Sequence, residues 1–424
     1  MAASEATGGS RLGTTLREGE RVTPLELFFD LVFVLAITQC TALMSHHPTW
    51  SGIAQGLLVL GMLWWAWTGY SWLTSVIDPE EGAVRLVMFG AMAALLLVSL
   101  CVPEAFGSLA LAFALIYGVV RSAQIALFML ASPEDDALRH SVLGLGASTA
   151  VAVTLLATAS LFDGLAQGAL WALALFLDMA GPYFFGAEGW KLVPGHFAER
   201  HGLIIIIALG ESIVAIGVGA SHSLTLGIGT AAVLGVALTA AMWWIYFDIV
   251  AIVAGRRLGE AEVGKVQNEM ARDSYSYMHL VMVAGIVLVA LGLKTTIGHT
   301  DEHLHAVPAF ALLGGIAIYL FGHVVFRYRH VHTINRQRLL LGIVLILLVP
   351  VATEVPALVP VAIANLLVWA MIAYETRMYG EGRSEVRRPQ AAGSCVRPGR
   401  GAGAGRAGAR TPASGRRSRS RGRR

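Results

Sequence analysis

Long uncharged apolar runs, separated by short polar segments, dominate the chain from residue 25 to residue 375. A helix needs about 20 mostly apolar residues to cross the roughly 30 Å hydrocarbon layer of a bilayer. The sequence therefore predicts twelve transmembrane spans: 25–44, 53–76, 86–103, 107–130, 140–161, 165–185, 202–220, 226–252, 275–294, 308–327, 339–352 and 356–375. The eleventh is short and meets Pro350. This pattern is typical of an all-α, polytopic membrane protein.

The composition favours the same class. Apolar residues make up 56% and charged residues 14% of the 424 residues, and the mean hydropathy is +0.65. A soluble domain carries about 25% charged residues, so this chain has too few to cover a water-exposed surface. The three cysteines are too few and too scattered for a disulfide framework or a zinc site. The His- and acid-rich loop 299–305 is interpreted as a solvated loop, and we expect no metal and no cofactor.

Basic residues are concentrated in alternate loops. Arg11, Arg17 and Arg21 precede the first span, and most other basic residues occur in every second loop or after the last span. The opposite set of loops holds one basic residue, Lys294. By the positive-inside rule both termini face the cytoplasm. The sequence thus predicts a multi-pass membrane protein with both ends of the chain on the cytoplasmic side.

Four regions follow from this organisation: a cytoplasmic N-terminal segment (1–23), two six-span regions (24–190 and 191–380) and a C-terminal tail (381–424). From Arg383 onward the chain has 13 arginines and one acid among Gly, Ala and Ser. Such a composition cannot bury a core, so we expect the tail to be disordered. Either it contacts anionic lipid headgroups or nucleic acid through its positive charge or it is a dispensable extension.

The two six-span regions share short sequence matches that occur in the same order. The matched positions are Trp64-Trp65 with Trp243-Trp244, Leu86-Val87-Met88 with Leu280-Val281-Met282, Ile116-Tyr117 with Ile318-Tyr319, Asp178 with Glu375, and Asp30 with Glu211. Because six is an even number, both regions would insert in the same direction, related by a pseudo-twofold axis along the membrane normal. The sequence therefore predicts two parallel six-helix repeats whose shared boundary gathers polar groups. Whether the protein forms a homo-oligomer is left open by the sequence.

Ionisable residues within the spans are candidates for binding a proton or a small cation. An unpaired charge at the bilayer centre costs about 2.5–3.5 kcal/mol, so each needs a partner or a function. The candidates are Asp30, Glu211, Asp178, Arg121, Glu26 and Asp248. Asp30 and Glu211 are favoured as functional because they occupy matched places in the two regions. Arg121 and Asp178 form either a structural or a functional ion pair, and Glu26 is interpreted as an acid that stabilises a first helical turn.

A second polar group lies near the predicted cytoplasmic ends of spans 7 and 9. It comprises His196, Glu199, His201, Tyr275 and His279. We expect these residues to line a cytoplasm-facing vestibule that leads to Glu211, because chains of acids and histidines can pass protons or cations. The alternative is that His279 makes hydrogen bonds between packed helices. The spacing from His196 to His201 matches no zinc hydrolase motif.

Three segments resemble the bacterial low temperature requirement A family: Arg21–Gln39, His196–Gly217 and Tyr275–Lys294. The similarity extends to about Tyr379. The resemblance implies a polytopic inner-membrane protein associated by name with growth in the cold, and it supplies no catalytic residues. The tail is not part of the family pattern. Phe28-Phe29-Asp30 also looks like the Phe-Ser-Asp signature of lysosomal potassium channels, with Phe29 in place of the serine.

Three functions are compatible with these features. The leading hypothesis is a secondary transporter or a cation/proton channel in which Asp30 and Glu211 are paired ion-binding carboxylates. The second is a membrane-embedded enzyme that modifies lipid with His196, Glu199, His201 and His279. The third is a non-catalytic sensor or scaffold in which the buried charges serve folding alone. We favour a protein that is not an enzyme, with the lipid bilayer and a small cation or proton as its partners.

Overall fold

The computed structural model describes residues 21–80, 82–131, 136–186, 189–220 and 225–378. The first twenty residues and the arginine-rich tail lie outside this part of the chain, and the expectations for them stay predictions. The described residues form fifteen α-helices: α1 (Pro24–His46), α2 (Trp50–Thr74), α3 (Gly82–Cys101), α4 (Ala110–Ala131), α5 (Asp136–Ala159), α6 (Gly164–Phe184), α7 (Pro194–Gly219), α8 (Leu226–Phe247), α9 (Val250–Glu260), α10 (Lys265–Met270), α11 (His279–Gly298), α12 (Ala306–Val331), α13 (Arg336–Leu347), α14 (Val349–Ala352) and α15 (Leu358–Met378). Val102–Glu104 forms a 3₁₀ turn, and Ala271–Met278 is a π-helix between α10 and α11.

Ten of the described helical segments are long and apolar enough to cross a membrane. Each of the twelve predicted spans falls on a helix, but two of those helices are not among the ten. Helix α2 has 25 residues, many of them Trp, Gly, Ser and Thr, which lower its hydropathy. The eleventh span divides into α13 and α14, and the 12 residues of α13 reach only about 18 Å. The chain is therefore an all-helical, multi-pass membrane protein.

Helices α1 and α7 begin in the same way and lie side by side. Both have proline in their first turn, where the missing N–H is not needed. Thr23 caps α1: its side chain accepts from the Glu26 amide, and the Glu26 carboxylate accepts from the Thr23 amide. This cap fixes the first turn of α1 and the position of the Glu26 carboxylate.

The best-buried part of the bundle is the pair α11 and α12. Their most apolar windows are 72% and 78% buried inside the protein, and α11 also contacts α1, α2, α7 and α8. Glycine lets the two backbones approach closely: a methyl group at Gly285 would lie 2.7 Å from the Gly315 carbonyl oxygen. Helix α11 of this central pair therefore packs against the helices that carry most of the polar side chains described below.

Candidate functional site

A buried salt bridge joins α1 to α7. An Arg200 guanidinium nitrogen lies 2.6 Å from Asp30 Oδ1, and the Trp67 indole N–H donates to the same oxygen at 2.8 Å. Asp30 and Arg200 are both fully buried. The Arg200 guanidinium also lies 5.4 Å from the centre of the Trp67 ring, within cation–π range. Trp67 therefore stabilises both charges of the pair.

Glu26 and His196 extend this pair into a cluster of four residues. Nε2 of His196 lies 2.8 Å from Glu26 Oε1, and Arg200 lies 3.6 Å from the same oxygen. His196 and Glu26 are also fully buried. We call Glu26, Asp30, His196 and Arg200 the α1–α7 charge cluster. Two carboxylates thus share one guanidinium and one imidazole away from water, an arrangement that compensates charges that would be costly alone.

The contacts between α1 and α7 show that the two helices run parallel. Glu26 meets His196, and Asp30 meets Arg200. Further along both helices, the Thr38 hydroxyl donates to Glu211 Oε2 at 2.5 Å. Residue numbers thus increase in the same direction on both sides of the interface, as expected for the first helices of two halves inserted in one orientation.

The same register separates Asp30 from Glu211. Glu211 lies level with Thr38, eight residues beyond Asp30 on α1, which is about 12 Å at 1.5 Å per residue. The two carboxylates are therefore not paired with each other in the structure. The predicted pairing of Asp30 with Glu211 is therefore wrong. A sequence match between apolar helices does not fix the depth of the matched residues in the membrane, and in the structure Arg200, not Glu211, lies level with Asp30.

Glu211 differs from the other deep carboxylates in the kind of partner it has. It is 3% exposed and accepts a hydrogen bond from a hydroxyl group. The positive charge of Lys294, on α11, acts on it from further away. The next residue, Ser212, is also buried, and its hydroxyl has no partner among the described residues. This part of the α1–α7 interface is thus polar, and no arginine in the described part of the chain forms an ion pair with Glu211 there.

Arg121 and Asp178 form a separate buried network between α4, α5 and α6. Arg121 lies 3.3 Å from Asp178 Oδ1, and Thr149 donates to that oxygen at 2.8 Å. Tyr117 donates to Asp178 Oδ2 at 3.0 Å. Both oxygens of the carboxylate are therefore satisfied, which is the arrangement expected of an ion pair that holds helices together.

A comparable pair occurs in the second six-span region. Arg338 Nε and Nη2 donate to the two oxygens of Glu375 at 3.0 and 2.9 Å, and Asn335 donates to Glu375 Oε1 at 2.8 Å. Glu375 is the residue that the sequence matched with Asp178. In both regions the acid on the last helix of the predicted repeat is thus neutralised by a buried arginine.

The predicted vestibule residues do not come together as one set. His201, Tyr275 and His279 pack against each other, with ring centroids 5.0–5.2 Å apart. All three are buried. His196 belongs instead to the α1–α7 charge cluster, and Glu199 is exposed and accepts from the Val22 amide at 3.3 Å. In the described part of the chain, His201, Tyr275 and His279 form a closed core, and His196 and Glu199 lie apart from it.

The closed core extends by hydrogen bonds and ring contacts to neighbouring helices. Tyr246 on α8 shares a 2.8 Å hydrogen bond with His279 Nε2, and its ring lies 5.8 Å from that of His323 on α12. Neither nitrogen of His323 has a partner among the described residues, nor does His201 Nε2 or the Tyr275 hydroxyl. Several neutral donor and acceptor groups are therefore held in one apolar core.

The π-helix before α11 is anchored from α2. Trp64 donates to the Ser276 carbonyl at 2.7 Å, and Trp72 donates to the Ser276 hydroxyl at 3.0 Å. π-helical turns are rare and are frequently found at functional sites. This one sets the positions of Tyr275 and His279, on its last turn and at the start of α11.

For some site residues the sequence gives little indication of their contacts in the structure. Asp248 caps the end of α8 and is 8% exposed, away from the α1–α7 charge cluster in sequence and helix. Arg200 and Arg338, which form ion pairs with buried acids, lie within the first two turns of their helices, where a sequence suggests only an interfacial charge. The spacing from His196 to Arg200, equal to that from Glu26 to Asp30, is the signal that could have found the cluster.

These features define a class: a polytopic, all-helical membrane protein whose buried acids are held between helices. Within that class, the chain belongs to the family described as bacterial low temperature requirement A protein (LtrA), whose model matches residues 21–373. It is also similar to a protein of Rhizobium meliloti (strain 1021) described as uncharacterized, with 30% identity over 308 residues, which is 70% of this chain and 75% of that protein. No solved structure matches the chain.

Proposed function

We propose that this LtrA-family protein is a secondary transporter or channel for a proton or a small cation, with Glu211 as the carboxylate that exchanges the ion. One observation supports this assignment above all. Asp30, Asp178 and Glu375 each contact a guanidinium, whereas the contact to Glu211 comes from a hydroxyl. An acid at membrane depth whose hydrogen-bond partner is a hydroxyl, and not an arginine, can take up and release a proton or a cation.

The α1–α7 charge cluster lies on the same two helices as Glu211. We propose that a change in its ion pairing alters the packing of these helices and so the access to Glu211. Asp30 Oδ2 and Arg200 Nε have no hydrogen-bond partner among the described residues, so the salt bridge uses only part of each group. A proton or cation at Asp30 would weaken its attraction to Arg200 and let α1 move against α7. Alternation between packed arrangements of that kind is how secondary transporters expose a site to one side at a time.

The proposal includes the two parallel six-helix repeats and the orientation with both termini in the cytoplasm of the inner membrane. Several matching helix contacts support the repeats: α1 with α2 and α7 with α8, α4 with α5 and α12 with α13, α2 with α6 and α8 with α15. The parallel register of α1 and α7 agrees with them. The boundary between the halves then contains Glu211, as expected for a central ion path.

Proton or cation flux into vesicles tests this function. The full-length protein is reconstituted in liposomes, and uptake is followed with an internal pH dye under a pH gradient, and separately with Na⁺ and K⁺ gradients. Glu211→Gln keeps the size of the side chain and resembles its protonated form, so the protein is expected to fold but to lose flux at least tenfold. Glu211→Asp is expected to retain part of the flux.

Glu260→Gln is the matched control, because this carboxylate is exposed and paired with Arg257 three residues earlier. Its flux should equal that of the unmodified protein. Flux through Glu211→Gln at the original rate would refute the role of Glu211. If the unmodified protein carries none of these ions, a sensor or scaffold function, in which the buried charges serve folding, takes the place of the transporter.

A further inference from the structure

A small cavity lies between helices α2, α4, α5 and α6 and the π-helix, and Glu211 is not among its lining residues. It measures about 50 Å³ and is partly open. Trp65 and Thr68 on α2, Arg121 and Gln124 on α4, and Arg272 on the π-helix are among the residues that line it. Its wall contains two arginines, and no aspartate or glutamate belongs to it in the described part of the chain.

Four polar atoms on this wall have no hydrogen-bond partner among the described residues. They are Trp65 Nε1, Thr68 Oγ1, Arg121 Nε and Gln124 Nε2. Arg121 and Gln124 are 1% and 0% exposed, so water outside the protein does not satisfy them. Each such group is costly to leave unpaired in a buried position, and four beside one cavity indicate that a hydrogen-bonding ligand belongs there.

The orientation of the Gln124 amide follows from its contact with Arg121. Arg121 Nη1 donates to Gln124 Oε1 at 2.6 Å, and because a guanidinium has no acceptor, the amide oxygen must face it. The amide nitrogen, with two donors, is therefore the end left without a partner. Gly69 leaves the space for this amide, since a methyl group there would overlap it.

Three of the four unpartnered groups can only donate, and the Thr68 hydroxyl can donate as well. A water molecule would have to donate two hydrogen bonds of its own and is a poor match for such a wall. An anion accepts from all sides. We propose that this cavity is a binding site for a small monovalent anion, such as a halide or a carboxylate group, held by Arg121, Gln124, Trp65 and Thr68.

The charge around the cavity agrees with a single negative occupant. Asp178 is the partner of Arg121, while Asp273 is shared between Arg272 and Arg329, at 2.8 and 3.2 Å. Two arginines against one acid leave one positive charge on that side. The cavity is about a third of the roughly 150 Å³ that holds benzene in a dry protein cavity, which suits a few heavy atoms.

Chloride dependence of unfolding tests the site. The full-length protein in detergent is melted in gluconate buffer, with chloride, bromide or formate added at constant ionic strength. A ligand that binds only the folded state raises the unfolding midpoint in a saturable way, and a one-site curve is expected. Thr68→Val, which removes the hydroxyl at nearly the same volume, should raise the half-saturating concentration at least fivefold.

Gln124→Glu is the second variant. It keeps the shape of the side chain and places a negative charge beside the cavity, so the saturable response should disappear although the protein folds. Thr239→Val is the matched control, because this buried hydroxyl donates to the Gly235 carbonyl within α8. Its response to chloride should equal that of the unmodified protein.

Two results would overturn the proposal. If the unmodified protein shows no saturable response, the cavity holds water only. If Thr68→Val and Gln124→Glu respond as the unmodified protein does, the anion binds elsewhere. The test does not depend on Glu211 or on ion flux.

Discussion

Asp30 on α1 and Arg200 on α7 meet at 2.6 Å in a fully buried salt bridge. The bridge joins the first helices of the two predicted repeats, and it does so near the ends where both helices begin. Because Glu26 and His196 lie one turn earlier on the same two helices, the contact is part of a cluster and not an isolated pair. The α1–α7 interface therefore has a charged end and, further along, a carboxylate at Glu211 that accepts a hydrogen bond from the Thr38 hydroxyl.

Removing Arg200 should strongly destabilise the protein. Arg200→Met keeps most of the apolar length but leaves Asp30 and Glu26 buried without a guanidinium, and a broken buried pair costs about 3–5 kcal/mol. The midpoint of thermal unfolding in detergent measures the change. Arg257→Met is the control, because the Arg257–Glu260 pair has both side chains more than half exposed and should change stability by about 0–1 kcal/mol. Equal losses of stability in the two variants would show that the buried Asp30–Arg200 pair contributes no more than an exposed pair.

The Arg338–Glu375 pair should behave as one unit in a double-mutant cycle. Glu375→Leu leaves a buried guanidinium and Arg338→Leu leaves a buried carboxylate, so each change should cost about 3–5 kcal/mol, whereas the double variant should cost clearly less than their sum. Unfolding free energies of the four proteins give the coupling. Additive losses would mean that the two groups are stabilised by other partners, such as Asn335.

Much of the fold follows from the sequence, because membrane helices are set by local composition. Every predicted span falls on a helix, and the break near Pro350 appears where proline removes a backbone donor. The pairing of charges does not follow in the same way. An ion pair between Arg121 and Asp178 is predicted from the sequence and is present in the structure. The contacts of Arg200 and Arg338 with buried acids are not predicted, because a long side chain lets arginine reach inward from a helix end.

The sequence also does not predict the depth of Glu211 in the membrane relative to that of Asp30. Apolar helices resemble each other at many offsets, so self-comparison finds that α1 and α7 are related without fixing which residues lie level. The contacts Glu26–His196 and Asp30–Arg200 fix that register. The π-helix at Ala271–Met278 is likewise not predicted from the sequence, and two of its contacts, from Trp64 and Trp72 to Ser276, come from residues more than 200 positions away.

Trp64 should stabilise the π-helix locally. Trp64→Phe keeps an aromatic ring but removes the donor to the Ser276 carbonyl, which would leave a buried acceptor unpaired at a cost of about 1–3 kcal/mol. Hydrogen exchange of the amides from 271 to 281 should become faster while that of α12 stays unchanged. Trp243→Phe serves as the control, because the Trp243 side chain is 45% exposed. Unchanged exchange in Trp64→Phe would show that the π-helix does not depend on this bond.

Close packing of α11 on α12 should make Gly285 intolerant of any side chain. A methyl group at Gly285 would lie 2.7 Å from both the Gly315 carbonyl oxygen and the Tyr319 nitrogen, and these are backbone atoms that cannot move without separating the helices. Overpacking of this kind costs about 1–3 kcal/mol. Gly210 on α7 has nothing within 4 Å of the same position, so Gly210→Ala should gain the helix propensity of alanine, about 0.5–1 kcal/mol.

The two changes are chemically identical, and opposite shifts of the unfolding midpoint would therefore separate packing from propensity. A stabilising Gly285→Ala would mean that α11 and α12 lie further apart than the structure has them. A destabilising Gly210→Ala would mean that Gly210 is covered by a neighbour, as the glycine-rich sequence of span 7 alone suggests. Because α11 also contacts α1 and α7, the Gly285 variant should in addition lower the stability of the interface that holds Glu211.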